Sequence, residues 1–417
     1  MSKLPFSDEK LREIIMTNPT PVYVYDEKGI LETASKLNKM FAWREGYMNF
    51  YASKALPNPY IHKFLREKAG MGVDASSLAE LILAERVGFE GKEIMFTSND
   101  TPADEFKKAK KLGANINFDD IDHVNYFKAK VGSLPELVCF RYNPGNSRSS
   151  GGNDLIGNPA DAKYGLTHEQ IFEGYKLAKA DGVKRFGLHT MVASNELRLE
   201  AHQETASMMF ELAAEIEDKV GIKFEFINLG GGFGIPYNPG ETELDTVTLG
   251  QFIKNKYESV FAGRNNKPRI VTEHGRYVTG PHGYLVLSVR HLKDTYKNYV
   301  GTDGSMANLM RPGMYSAYHD ITVLGKENLN LDHVYDVVGS LCENNDKFAI
   351  DRNLPQIDID DILIIHNAGA HGHAMGFNYN GKLRSAEVLL KEDGGFEQIR
   401  RAETLDDLFA TLDFSKL

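Results

Sequence analysis

Eight short β-like runs recur through the first two-thirds of this 417-residue chain, at 48–52, 71–74, 94–97, 116–118, 137–142, 186–190, 225–230 and 269–273, with helix-like segments between them. Strands that alternate with helices predict a parallel sheet, and eight such units over this span fit a (β/α)8 barrel better than an open sheet. The clearest helix covers 196–219, where Met209, Leu212, Ala213 and Ile216 fall at the i, i+3, i+4, i+7 spacing of one buried face. A second, at 104–112, puts Phe106, Ala109 and Leu112 on one side, with Gly113 placed to end it. After about residue 280 the pattern changes to β-rich stretches at 284–290, 334–338, 362–366 and 386–390 without regular helices between them. The chain is 42% hydrophobic and too long for one ordinary core, so two domains are expected. The expected division is an α/β barrel over 28–280 and an antiparallel β domain over 281–417, with 1–27 adding a strand to the latter through 21–25. The longest interruption, 144–165, is polar and glycine-rich and reads as a mobile loop near the barrel mouth, either a lid or an insertion.

In such barrels the chemistry sits where strands end and loops begin. Lys54, Asp74, Arg141, His189, the triplet Gly230, Gly231 and Gly232, and Glu273 with Arg276 all fall there. A lysine at a strand end is ordinarily a solvated charge, but in this company Lys54 is a candidate to form a Schiff base with pyridoxal phosphate. The glycines let backbone N–H groups approach a phosphate closely, although a tight strand-to-loop turn explains three glycines equally well when they stand alone.

The excess of 58 Asp and Glu over 48 Lys and Arg gives a net charge of -10. That balance argues against a nucleic-acid or anionic-membrane surface and points to small-molecule partners. Only Cys139 and Cys342 are present, so no disulfide framework is on offer, and free thiols suit a reducing cytosol. The first residues lack the apolar core of a signal peptide and no run approaches bilayer length, so a cytoplasmic protein is expected. The run containing His366, His371 and His373 invites a metal reading, but no acidic or histidine partner accompanies it at motif spacing, and no metal is expected.

Six motifs, in order, carry a family resemblance: Tyr-Ala-Ser-Lys-Ala (51–55), Gly-Val-Asp-Ala-Ser-Ser (72–77), Leu-Gly-Gly-Gly-Phe-Gly (229–234), Glu-His-Gly-Arg (273–276), Arg-Pro-Gly-Met-Tyr (311–315) and Cys-Glu (342–343). Individually weak, together they resemble the fold-type III pyridoxal-phosphate decarboxylases, and most nearly the diaminopimelate decarboxylases. The resemblance implies an α/β barrel followed by a β domain, and a homodimer with active sites at the subunit interface. It also implies decarboxylation of meso-diaminopimelate to L-lysine, the last step of lysine biosynthesis. Lys54 would carry the cofactor, with Gly230–Gly232, Ser194 and Arg276 around its phosphate. Glu273 would pair with the pyridine nitrogen, where a carboxylate keeps the ring protonated and electron-withdrawing. The bland reading of Glu273 is a salt bridge to Arg276. Cys342 matches an active-site cysteine that reaches across the dimer interface as a proton donor, whereas Cys139 reads as a small buried hydrophobe.

By the same resemblance Arg276, Arg311, Tyr315 and Glu343 meet the far end of the substrate. Arginine suits a distal carboxylate because its planar fork binds one with two parallel hydrogen bonds. Ornithine or lysine would leave Arg311 nothing to hold. Two departures stand out. The family reads His-x-His-x-Gly-Ser, its second histidine stacking on the cofactor ring, whereas this chain has His189-Thr-Met191-Val-Ala193-Ser194. A thioether is able to lie against an aromatic face, so Met191 is a candidate substitute, as is His189 swinging in. His371 stands where the family has a tyrosine touching phosphate or substrate. The competing expectations are a decarboxylase of D-lysine, D-ornithine or L-ornithine, and a non-catalytic homologue that binds the cofactor.

Overall fold

The computed structural model describes residues 4–147 and 159–417. Two compact units emerge, one of Leu31–Ile235 with Thr242–Val278, the other of Met1–Ile30 with Pro236–Glu241 and Thr279–Leu417. The first strand, β1 (Val22–Asp26), belongs to the second unit. The next eight are β2 (Met48–Ala52), β3 (Gly72–Ala75), β4 (Ile94–Thr97), β5 (Asn115–Phe118), β6 (Leu137–Tyr142), β7 (Arg185–Thr190), β8 (Phe224–Asn228) and β9 (Arg269–Thr272). They pair in parallel, each with the next and β9 with β2, and so close a barrel.

Each of the eight runs read from the sequence is therefore a barrel strand. A parallel strand under helices is buried on both faces, as β6 is at every residue, and the first four residues of β6, Leu137 to Phe140, read as a continuous apolar run. Phe50, Met95, Leu137, Cys139, Phe226 and Val271 form one core cluster of these strands. The fit is tight at Gly187, where a Cβ would lie 2.3 Å from the Phe226 ring. Of the intervening helices, Leu199–Val220 buries Met209, Leu212, Ala213 and Ile216, and Ala103–Leu112 buries Phe106 and Ala109 before Gly113 ends it at φ 70°. Strand register sets the functional level: Arg141 is opposite His189, His189 opposite Asn228, and Ala52 opposite Asp74.

The second unit holds a nine-stranded sheet of β1 with β10 (Gly283–Asp294), β11 (Asn298–Thr302), β12 (Ile321–Val323), β13 (His333–Val338), β14 (Lys347–Leu354), β15 (Ile362–Ile365), β16 (Ala386–Leu390) and β17 (Phe396–Arg400). Its core gathers Val22, Val24, Val286, Ile364 and Val388. The strand expected from 21–25 is present as β1, between β10 and β16. The sheet is mixed rather than antiparallel, because β1 runs parallel to β16 and β11 parallel to β13. In neither pair does a hairpin join the strands. β1 enters from the far end of the sequence, and β11 and β13 are separated by residues 303–332, a connection long enough for a parallel crossover. Of the loop expected at 144–165, residues 148–158 lie outside the described residues. Asn143 donates from its amide to the carbonyls of Pro159 (2.9 Å) and Tyr164 (2.7 Å), fixing the far side of that segment.

Candidate active site

β2 ends at Ala52 and the chain turns through one 3-10 turn, Ser53–Ala55, which buries Ser53 and Ala55 and leaves Lys54 exposed beyond the strand. Two buried carboxylates lie within its electrostatic reach. Glu273 follows β9 and is 6% exposed; its Oε2 is 3.0 Å from His189 Nε2, while its Oε1 accepts from Asn228 (2.7 Å) and Asn117 (3.4 Å). Burial pushes this carboxyl up, but His189, Asn228 and the charge of Lys54 together outweigh it and hold the group below the ordinary carboxylate range. Asp74, 3% exposed, goes the other way. Burial and then the Glu273 charge push it well above the carboxylate range, against the pull of Lys54 and a Thr97 hydrogen bond, and its Oδ1 has no hydrogen-bond partner. Paired titratable groups driven apart in this way are the signature of a site that needs one acid and one anion.

The glycine triplet is where the loops after β7, β8 and β9 converge. A Cβ on Gly230 would lie 2.2 Å from the Thr190 carbonyl oxygen, one on Gly231 2.5 Å from that of Glu273, and one on Gly232 2.5 Å from that of Ala193. Gly230 and Gly232 also have φ of 71° and 96°, which side chains rarely adopt. The Gly230 N–H donates to Asn228 Oδ1 (2.9 Å) and the Gly231 N–H points at Met191 Sδ (3.2 Å), a weak acceptor that an anion readily displaces. Ser194, in the loop after β7, and Arg276, which opens the short helix Arg276–Thr279 after β9, are half-buried at the same end of the barrel.

Arg141 is 9% exposed, 3.7 Å from Asp119, bonded to the Met191 carbonyl (3.2 Å) and 4.4 Å from the Tyr164 ring. Met191 thus belongs to the loop that carries the glycine contact, and His189 is engaged with Glu273. Sequence reasoning missed Glu80, Asn117 and Asn228. Glu80 accepts the Ser76 N–H at 2.7 Å and carries a carboxyl raised by burial and lowered by Lys54. Asn228 directly precedes the Leu-Gly-Gly-Gly turn and Asn117 lies in the run read as a strand at 116–118, and those placements were the available signal.

The remaining candidates are in the other unit. Arg311, 5% exposed, opens the short helix Arg311–Tyr315, whose last residue is 44% exposed. Cys342 and Glu343 are exposed in a turn between β13 and β14, where Asn380 donates from its amide to Cys342 Sγ (3.4 Å) and accepts its N–H (2.9 Å). His371 is half-buried at φ 54°. Cys139 is buried, its thiol pushed far up by burial. His366 Nε2 meets Thr322 Oγ1 at 2.7 Å and His373 Nε2 meets the Ser385 carbonyl at 3.0 Å; among the described residues no group of three potential ligands is placed to hold a metal ion.

Residues 28–280 match the family described as the pyridoxal-dependent decarboxylase, pyridoxal binding domain. The chain belongs to the pyridoxal-dependent decarboxylases. Among its relatives are Protein TabA of Pseudomonas amygdali pv. tabaci, 43% identical over 95% of this chain and 92% of that protein, and the diaminopimelate decarboxylase of Methanothermobacter thermautotrophicus, 34% identical over 93% and 90%. A crystal structure of diaminopimelate decarboxylase from Helicobacter pylori complexed with L-lysine superposes with a TM-score of 0.88 at 26% identity, covering 98% of this chain and all of that one.

The decarboxylase's own residues fit pyridoxal phosphate. Lys54 is an amine at the barrel mouth that would carry the cofactor, Glu273 is an anion that would pair with a pyridinium N–H, and the glycine turn with Ser194 and Arg276 would supply donors to a phosphate. The orphaned Asp74 oxygen yields the first prediction. A group whose folded pKa is raised contributes stability at low pH and loses it as pH rises through that value. Asp74→Asn is therefore expected to melt higher than the parent in the cofactor-free state, by about 1 kcal/mol or more, with a gap that widens as pH rises from about 4, the unfolded carboxyl value, to the raised folded value. Thermal unfolding across that range measures it, and a gap that shrinks with pH counts against the raised carboxyl.

Proposed function

We propose that this decarboxylase converts meso-diaminopimelate to L-lysine and carbon dioxide, as the closing step of lysine biosynthesis. The observation that carries the reading is Arg311, a buried guanidinium at the head of the short helix that ends in Tyr315. The planar fork of that guanidinium matches a carboxylate with two parallel hydrogen bonds, and the distal carboxylate of diaminopimelate is such a group. Glu343 supplies the complementary anion for the distal ammonium. The names of the diaminopimelate decarboxylases among the relatives and the L-lysine bound to the Helicobacter pylori enzyme support the assignment, while the name of Protein TabA is silent on substrate.

Bound pyridoxal phosphate supplies the electron sink that stabilises the carbanion left by departing carbon dioxide. The chain supplies the rest. Lys54 provides the amine that anchors the cofactor, and Glu273 holds a proton on the ring nitrogen, its own negative charge secured by His189 and Asn228. Arg276 and Ser194 grip phosphate oxygens. Cys342, an exposed thiol, delivers the proton to the carbon that lost the carboxylate. Exposure of Cys342, Glu343 and Tyr315 in a single chain favours a homodimer in which these residues complete the other subunit's site. Among the described residues no helix is long and apolar enough to cross a membrane.

Carbon dioxide release from a panel of meso-diaminopimelate, D-lysine, D-ornithine and L-ornithine tests the proposal. Release from diaminopimelate is expected to exceed the others, and release only from one of the others overturns it. Lack of turnover with every amino acid would favour a non-catalytic homologue. Arg311→Lys, which keeps the charge and loses the two-pronged contact, is expected to raise KM for diaminopimelate about tenfold with little change in kcat.

A further inference from the structure

We infer that His319 is the positioning residue that presets Arg311 for a carboxylate, and so sets preference for a substrate acidic at its far end. The inference rests on the substrate reading above and adds to it. His319 is fully buried between two groups of fixed polarity. Its Nε2 is 2.9 Å from Arg311 Nη1, and its Nδ1 is 2.8 Å from the backbone carbonyl oxygen of His366.

A guanidinium has donors only, so Nε2 must be the acceptor and carries no proton. A carbonyl oxygen accepts only, so Nδ1 must carry the proton. The two bonds together select the neutral imidazole with its hydrogen on Nδ1. The surrounding contacts lock the ring. His366, whose carbonyl chooses the tautomer, directly follows β15 and is anchored through Nε2 to Thr322 Oγ1 at 2.7 Å. The His319 carbonyl accepts from Arg352 Nη1 at 2.8 Å. Tyr237 lies edge-on to the imidazole at 5.2 Å and presents its face to the Arg311 guanidinium at 4.3 Å.

An imidazole acceptor aims the guanidinium without neutralising it. A carboxylate in the same place would also aim it but would cancel the charge that the substrate is to meet. The Tyr237 face stabilises the cation and likewise leaves its charge intact. Arg311 is thus oriented at one N–H by two uncharged groups, which is the preorganisation that carboxylate recognition requires.

L-Lysine, the product, keeps the distal carboxylate and 1,5-diaminopentane lacks it, so their relative affinity isolates this effect. Binding of each to the holoenzyme is followed by the change in cofactor absorbance. His319→Phe, which removes the acceptor, is expected to lose about tenfold of the parent's preference for L-lysine over 1,5-diaminopentane while its affinity for the diamine stays within about twofold. His319→Gln, whose amide oxygen takes the place of Nε2, is expected to restore most of the preference. If the phenylalanine variant does not fold, His319→Asn replaces it, since its shorter amide reaches the His366 carbonyl but not the guanidinium. A variant that melts lower yet keeps the full preference overturns the positioning role and leaves the substrate reading standing. A parent enzyme that itself shows no preference overturns the substrate reading, and the inference falls with it.

Discussion

Lys54→Ala is expected to lower kcat by about 10⁴-fold or more while leaving the fold intact. The fold should survive because the Lys54 side chain is exposed, and its flanking Ser53 and Ala55, which are buried, are untouched. Alanine also removes a positive charge that pulls down the carboxyls of both Asp74 and Glu273, so a loss of activity alone would mix two causes. Lys54→Arg separates them. It restores the charge beside the two carboxylates, but a guanidinium stays protonated at all working pH values and is no nucleophile. Both variants should therefore be inactive, and only the alanine variant should show altered titration of the carboxylate pair. Reductive trapping followed by peptide mapping should place the cofactor on Lys54 in the parent and leave both variants unlabelled. A label at a different lysine would refute the assignment.

The barrel was legible because its physics is local. Every barrel strand is short, has an apolar centre or stretch, and is followed by a helical segment, so the pattern separates strand from helix at the correct eight places. The β unit was less so. β12 is three residues long, and β11, β14 and β17 carry exposed polar residues, so none has the periodicity that marked β10 or β16. Strand direction was beyond reach for a different reason: β1 and β16 are far apart in sequence, and only the assembled sheet decides that they run parallel.

The site divides along the same line. Lys54, Asp74, His189, Glu273 and the glycines sit at strand ends, and position in a barrel is enough to nominate them. What position does not reveal is which groups set the charge of those residues. Asn228 and Asn117 bind Glu273 from other strands, and Glu80 sits in a helix. Arg311 shows the limit most plainly. From the sequence it looked like a desolvated charge awaiting a substrate. In the folded chain it is already oriented by His319 and stacked on Tyr237, neither of which lies near it in any motif.

Glu273→Gln is expected to lower kcat by about 10³-fold with nearly unchanged cofactor occupancy. Glutamine preserves the shape: its amide oxygen can accept from Asn228, and its amide nitrogen can face the His189 ring as donor. What it lacks is the negative charge that keeps a proton on the pyridine nitrogen, and without that proton the ring withdraws electrons weakly. The sign of the pH dependence distinguishes this cause from structural damage. Because the folded carboxyl lies below the ordinary range, it contributes stability at neutral pH that is lost as pH falls through its folded value. The parent's stability over the variant should therefore be largest near neutrality and shrink in acid. Removing the charge also removes one of the three causes that raise Asp74, so in Glu273→Gln the Asp74 carboxyl should ionise at lower pH, and the effects of Glu273→Gln and Asp74→Asn should not add. Melting curves of the parent, both single variants and the double variant between pH 4 and pH 8 measure this coupling. Strict additivity would show that the two buried carboxylates do not sense each other, and the division of acid and anion between them would have to be abandoned.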